Sequence, residues 1–149
     1  FGTVGSVPVH YLRRSLPIEE LVAYYLAADV MLVTPFRDGM NLVAKEYVAS
    51  RKNEKGVLVL SEFTGSAVEL DRAVLVNPHD IDGMAATIEK AITMPAQEQT
   101  RRMRSLRQRV RKRTVYTWAS DFTHALDAEQ PRPSSTNMQL PIDTPPPSP

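Results

Sequence analysis

The run Thr34-Pro35-Phe36-Arg37-Asp38-Gly39-Met40-Asn41-Leu42-Val43-Ala44-Lys45-Glu46-Tyr47 reads as the junction between a strand and a helix. Val30 to Thr34 is short, apolar and rich in β-branched residues. Pro35 ends it, Gly39 permits a tight or positive-φ turn, and Asn41 to Ser50 supply good helix formers. A helix N-terminus therefore aims out of a sheet. Its first turn leaves backbone N–H groups unpaired, those of Leu42 and Val43 among them, and the macrodipole adds about half a positive charge there. A phosphate is the natural occupant of such a place. Around it stand carboxylates at Asp38 and Glu46, cations at Arg37 and Lys45, and the Asn41 amide. Eight residues of continuous helix would rise about 12 Å, so the two carboxylates would bracket the phosphate instead of sharing it. Carboxylates accept from vicinal hydroxyls, so a nucleoside-diphosphate sugar fits with its diphosphate in the middle. The same residues also read as two capping side chains, Asp38 and Asn41, and a solvated face at Lys45 and Glu46. Spacing leaves both readings open.

Outward from this junction, short apolar runs alternate with helical patterns. Val7 to Tyr11, Val57 to Leu60 and Val74 to Val76 join Val30 to Thr34 as expected parallel strands. Ile18, Leu21, Val22, Tyr25 and Leu26 form a helical stripe opened by Pro17 and two glutamates. Met40 to Arg51 and the short Gly65 to Leu70 read as helices. So does Asp80 to Ile92, with the stripe Ile81, Met84, Ala85, Ile88 and Ile92. The expected fold is α/β, a Rossmann-like parallel sheet with helices on both faces. Such a sheet binds ligands beyond the carboxyl ends of its strands, here the loops after Tyr11, Thr34, Leu60 and Val76. From Gln97 the chain reads as helical again, with stripes Met103, Leu106, Val110 and Trp118, Phe122, Ala125.

The 149 residues carry 42% hydrophobic and 23% charged side chains, near the averages of globular domains, so a wholly disordered or fibrous chain is excluded. No apolar run approaches the roughly 18 residues of a membrane span. The chain opens at Phe1 without a basic stretch leading into an apolar one, and a cytoplasmic protein without membrane contact is expected. Zero cysteines and three scattered histidines, His10, His79 and His124, offer no metal-ligand spacing, so neither metal nor cofactor is expected. Gln130 to Pro149 holds seven of the twelve prolines and almost no charge. It reads as a disordered tail, dividing the chain into a domain over 1–128 and a tail over 129–149.

Three blocks together resemble one known family: the Thr34 to Tyr47 run, Gly56-Val57-Leu58-Val59-Leu60-Ser61-Glu62-Phe63-Thr64-Gly65-Ser66-Ala67, and Val76-Asn77-Pro78. Their order and spacing are similar to those of the trehalose-6-phosphate synthases, retaining glycosyltransferases of GT-B fold, over about Val4 to Leu126. The resemblance implies that this chain is part of the C-terminal, nucleotide-sugar half of such an enzyme. It implies that Asp38 binds donor-glucose hydroxyls, with Gly39, Met40 and Asn41 beside the same ring. Leu42 and Val43 would donate to the diphosphate, Glu46 would accept from the ribose, and Leu16 lies where the family holds the nucleobase. Phe63 to Ala67 would face the cleft, although Thr64 or Ser66 as a helix cap explains that block as well. His10 and His79 receive no role, and no catalytic nucleophile is evident. The implied partners are nucleoside-diphosphate glucose and, through an N-terminal domain outside this chain, glucose 6-phosphate. A homo-oligomer stays open.

Two other readings compete. Arg101 to Arg113 holds 8 of the 18 lysines and arginines and no acid, although the whole chain has a net charge of only +1. That helix could make the chain a binding module for nucleic acid or an acidic partner, but no aromatic residue is interleaved to stack on bases. A catalytically silent regulatory subunit of a trehalose-synthesising complex would share the fold.

Overall fold

The computed structural model describes residues 8–129. The chain divides into two units, Phe1–Thr114 and Val115–Pro149. The first unit runs α1 (Ile18–Ala27), β1 (Val30–Val33), α2 (Leu42–Ser50), β2 (Val57–Ser61), α3 (Gly65–Glu69), β3 (Val74–Val76), α4 (Ile81–Ile92) and α5 (Ala96–Lys112). The strands form one parallel sheet in the order β1-β2-β3, with Val30 opposite Val57 and Val59 opposite Val74. The central strand β2 is buried along its whole length. Its alternation divides the interior. Leu58 and Leu60 enter one core with Tyr25, Ala44, Tyr47, Val48, Met103 and Leu106 from α1, α2 and α5. Val57 and Val59 enter a second with Val76, Ala91 and Met94. Helices thus cover both faces, as period-two alternation in a doubly covered strand requires.

The expected strand over Val7 to Tyr11 is not found. Val7 lies outside the described residues, and residues 8–11 are irregular. Val9 and Tyr11, within that expected strand, are 74% and 83% exposed. A strand exists only where a neighbour takes up its backbone groups, and none pairs with this segment among the described residues. The α4 stripe is also displaced. Met84 and Ala91 pack into the second core, whereas Ile81 and Ile92 are exposed. At the C-terminal end the cause is the face: Ala91, 1% exposed, turns inward and its neighbour Ile92 therefore turns outward.

Two buried arginines tie the helices together through their C-terminal carbonyls. Arg51 donates to the carbonyls of Tyr25 and Leu26 at the end of α1, at 3.0 and 2.6 Å. Arg107, 9% exposed, donates to Val48 and Ala49 in the last turn of α2, at 3.3 and 2.9 Å. Each meets carbonyls that lack an intrahelical partner and lie at the negative end of a dipole.

The second unit is described by α6 (Val115–Glu129), in which Trp118 and Phe122 stack with ring centroids 5.4 Å apart. Of the expected tail, residues 130–149 lie outside the described residues.

Burial separates two apolar side chains that helical periodicity treats alike. Leu106→Ala, in the first core, is expected to destabilise by about 2 to 5 kcal/mol. Ile81→Ala is expected to stay within about 0.5 kcal/mol. Urea midpoints at constant m-value measure both; equal losses would place Ile81 in a core.

Candidate functional site

The loops after β1 and β2 are bound to each other by backbone. Asp38 pairs with Thr64 as an isolated parallel bridge. The Asp38 N–H donates to the Phe63 carbonyl at 3.2 Å, the Gly65 N–H to the Asp38 carbonyl at 3.0 Å, and the Ser66 N–H to the Met40 carbonyl at 3.0 Å. The β1–β2 ladder therefore resumes past the strand ends. Gly65 is essential to this approach, because a Cβ there would lie 2.1 Å from the Gly39 carbonyl oxygen. The loop after β3 joins at the same end, where the His79 ring lies 4.9 Å from Phe36 and 5.7 Å from Phe63. Three of the expected loops thus meet beyond the carboxyl ends of the strands.

At the start of α2, where Gly39 permits a tight or positive-φ turn, the positive φ belongs to Asn41, at φ 67° and ψ 89°. Asparagine suits this place because it tolerates the left-handed region while its side chain caps. Its Oδ1 accepts from the Ala44 N–H at 2.9 Å, and its Nδ2 donates to Asp38 Oδ2 at 3.0 Å. The other Asp38 oxygen accepts from the Met40 N–H at 3.0 Å. That backbone donor first, and the Asn41 amide second, hold the Asp38 carboxyl below its ordinary range. The third helical N–H, that of Ala44, is capped. Those of Leu42 and Val43 have no acceptor among the described residues, and both residues are exposed. The free amides are the two that the sequence singled out.

Charge around this point is unevenly committed. Lys45 pairs with Glu69 at 2.7 Å, while Arg37 is exposed with no ion-pair partner among the described residues. Glu46 is exposed and accepts from the Tyr25 hydroxyl at 3.1 Å. The 12 Å separation expected of Asp38 and Glu46 presumed continuous helix. α2 starts only at Leu42, so helix contributes about 6 Å, and residues 38–41 form the turn and cap.

The structure brings Asp38, Gly39, Met40, Asn41, Leu42 and Val43 together in one turn, with Glu46 one helical turn further on. Leu16 is half-buried just before Pro17, the N-cap of α1, and no hydrogen bond joins it to this cluster among the described residues. Thr64 occupies the N-cap of α3 without capping, and its hydroxyl donates to the Ser61 carbonyl at 3.0 Å. Two participants escaped the sequence reading. The sequence marks Gly65 as a helix start, although a glycine opening a helix opposite a second loop signals close backbone contact. Tyr25 falls on a packing stripe, and its hydroxyl among aliphatic neighbours is the signal.

The arginine-rich α5 is largely engaged within the molecule. Arg101 and Arg102 bind Glu98, Arg104 binds Glu54, Arg109 binds Asp71, and Arg107 is buried. The hydrogen bonds from Arg101 and Arg102 hold the Glu98 carboxyl down to about 2. This leaves little of the basic helix free for an acidic partner. Among the described residues, no His, Asp and Glu group is arranged to hold a metal, and no helix is long and apolar enough to cross a membrane.

The model of glycosyltransferase family 20 matches residues 1–128. The trehalose-6-phosphate synthase of Mycobacterium leprae is 58% identical over 136 residues, which cover 91% of this chain and 27% of that protein. A trehalose-6-phosphate synthase structure from E. coli, bound with UDP-2-fluoro glucose, superposes with a TM-score of 0.77 at 42% identity, over 88% of this chain and 29% of that one. One from Burkholderia xenovorans, described as UDP-forming and in complex with glucose-6-phosphate, gives 0.78 at 44% identity, over 85% and 28%. The chain therefore spans about a quarter of the length of these relatives, and its parallel sheet with flanking helices matches part of their GT-B fold.

The dual role of Asn41 separates two substitutions. Asn41→Ala loses the cap and places a Cβ at positive φ, and is expected to cost about 1 to 3 kcal/mol. Asn41→Gly relieves the φ and is expected to cost only a few tenths of a kcal/mol. Denaturant titration of the two variants checks this; equal losses would show that the left-handed conformation carries no strain.

Proposed function

The chain belongs to glycosyltransferase family 20, and from that premise we propose that the whole protein moves glucose from a nucleoside-diphosphate glucose to glucose 6-phosphate, giving trehalose 6-phosphate. This chain, over residues 1–128, would supply part of the donor site. The observation that carries the reading is the pair of N–H groups of Leu42 and Val43, on exposed residues and without an acceptor among the described residues, beside a cap that engages the Met40 and Ala44 N–H groups. Those amides would bind the diphosphate. Asp38, fixed on one side by Met40 and Asn41, retains lone pairs for glucose hydroxyls, with Gly39, Met40 and Asn41 against the same ring. Glu46 would take the ribose hydroxyls and Leu16 the neighbourhood of the base. The UDP sugar and the glucose-6-phosphate of the two structural relatives support this choice of donor and acceptor.

No side chain at the turn is poised as a nucleophile, and the reading needs none, nor a metal or cofactor. In front-face transfer, the bond from the anomeric carbon to the diphosphate breaks while the acceptor hydroxyl bonds on the same face. The departing diphosphate takes the hydroxyl proton. The protein's part is then orientation and stabilisation of phosphate charge. Acceptor contacts would come from outside this chain.

In the full-length enzyme, Glu46→Ala is expected to weaken nucleoside diphosphate by roughly 10- to 150-fold, the loss of a charged hydrogen bond of about 1.5 to 3 kcal/mol. Calorimetric titration measures it, and unchanged affinity would remove Glu46 from the site.

A further inference from the structure

We propose that Tyr25 is a positioning residue for Glu46, fixing one carboxylate oxygen so that the other is presented to the ribose of the donor; the inference rests on the reading of Glu46 given above. Tyr25 is 4% exposed, and its ring meets Tyr47 edge-on, 6.2 Å between centroids at 81°. Its hydroxyl reaches out of this core to Glu46 Oε2 at 3.1 Å. Glu46 is exposed, on a long side chain with many rotamers, so an anchor at one oxygen restricts which orientations the carboxylate visits.

Helix pairing does not require that hydroxyl. α1 and α2 are already joined by Arg51, which donates to the Tyr25 and Leu26 carbonyls, and by the ring itself within the core. A phenylalanine would fill the same space without burying a polar atom that must then be partnered. Burial first, and then the hydrogen bond to Glu46, push the Tyr25 hydroxyl up to about 12. It stays protonated and donates at any working pH. The oxygen left over, Oε1, accepts from no group among the described residues. A carboxylate held in this way offers its free oxygen in a fixed direction, which is what recognition of a diol needs and what a freely rotating glutamate lacks.

The test uses the full-length enzyme, with uridine diphosphate and 2′,3′-dideoxyuridine diphosphate as calorimetric probes of wild type, Tyr25→Phe, Glu46→Ala and the double variant. Tyr25→Phe is expected to weaken uridine diphosphate roughly 3- to 10-fold, to leave the dideoxy analogue unchanged, and to add nothing once Glu46 is alanine. The ratio of the two Kd values comes from folded molecules only, so partial unfolding of a variant does not disturb it. If Tyr25→Phe leaves that ratio at the wild-type value while Glu46→Ala collapses it, the positioning role is overturned and the ribose reading stands. If Glu46→Ala also leaves the ratio unchanged, the ribose reading fails and the role of Tyr25 fails with it.

Discussion

Three backbone hydrogen bonds, from Asp38, Gly65 and Ser66, join the loop after β1 to the loop after β2. They fix where α2 begins and which way its first amides point. The same loop could otherwise swing about Pro35 and Gly39, and the N–H groups of Leu42 and Val43 would lose a defined direction. The constraint lies between main chains, so side chains matter only where one would intrude. That happens at Gly65, where the Gly39 carbonyl occupies the space of a Cβ. The cap follows from it. With the 38–40 backbone held against the segment after β2, the chain must turn sharply into α2, and Asn41 takes the left-handed conformation that this turn demands.

Much of this was legible in the residues because it rests on local chemistry. Pro35 stops a strand, Asn41 precedes a run of helix formers, and Val57 to Leu60 is too evenly apolar to face solvent on either side. What was not legible depends on partners distant in the chain. Val9 and Tyr11 alternate like a strand but lack a neighbour, and alternation alone does not supply one. Gly39 looked like the residue with positive φ because glycine is the default there. Asn41 competes for the position once its side chain can also cap, and only the geometry of the turn decides between them. Tyr25 read correctly as core. The bond made by its hydroxyl depends on Glu46, 21 residues away in the chain.

The arginines make the same point through electrostatics. A run of basic residues suggests a solvated or ligand-binding surface, yet Arg107 is spent on the C-terminal carbonyls of α2. This gives α2 two unlike ends. Its C-terminus is closed by a cation, which lowers the energy of the dipole. Its N-terminus is closed by Asn41 at one amide only and left open at two. A helix needing only stability would close both. The asymmetry favours an anion at the open end without making the helix depend on it.

The open end is not enough by itself to hold a diphosphate. Two hydrogen bonds to a charged group contribute about 1.5 to 3 kcal/mol each, while immobilising a ligand costs an estimated 4 to 15 kcal/mol. The amides alone therefore leave little net affinity. Nearby cations do not close the gap: Lys45 is neutralised by Glu69, and Arg37 is exposed, where water and salt weaken its attraction. On the proposed reading, the turn is then an aligning element. It sets the register of the diphosphate, and through Asp38 and Glu46 the positions of sugar and ribose on either side, while the charge that develops on the leaving diphosphate must be met by basic groups elsewhere in the whole protein. Directional peptide donors suit the first task and mobile cations the second, so the two separate naturally onto different parts of the chain.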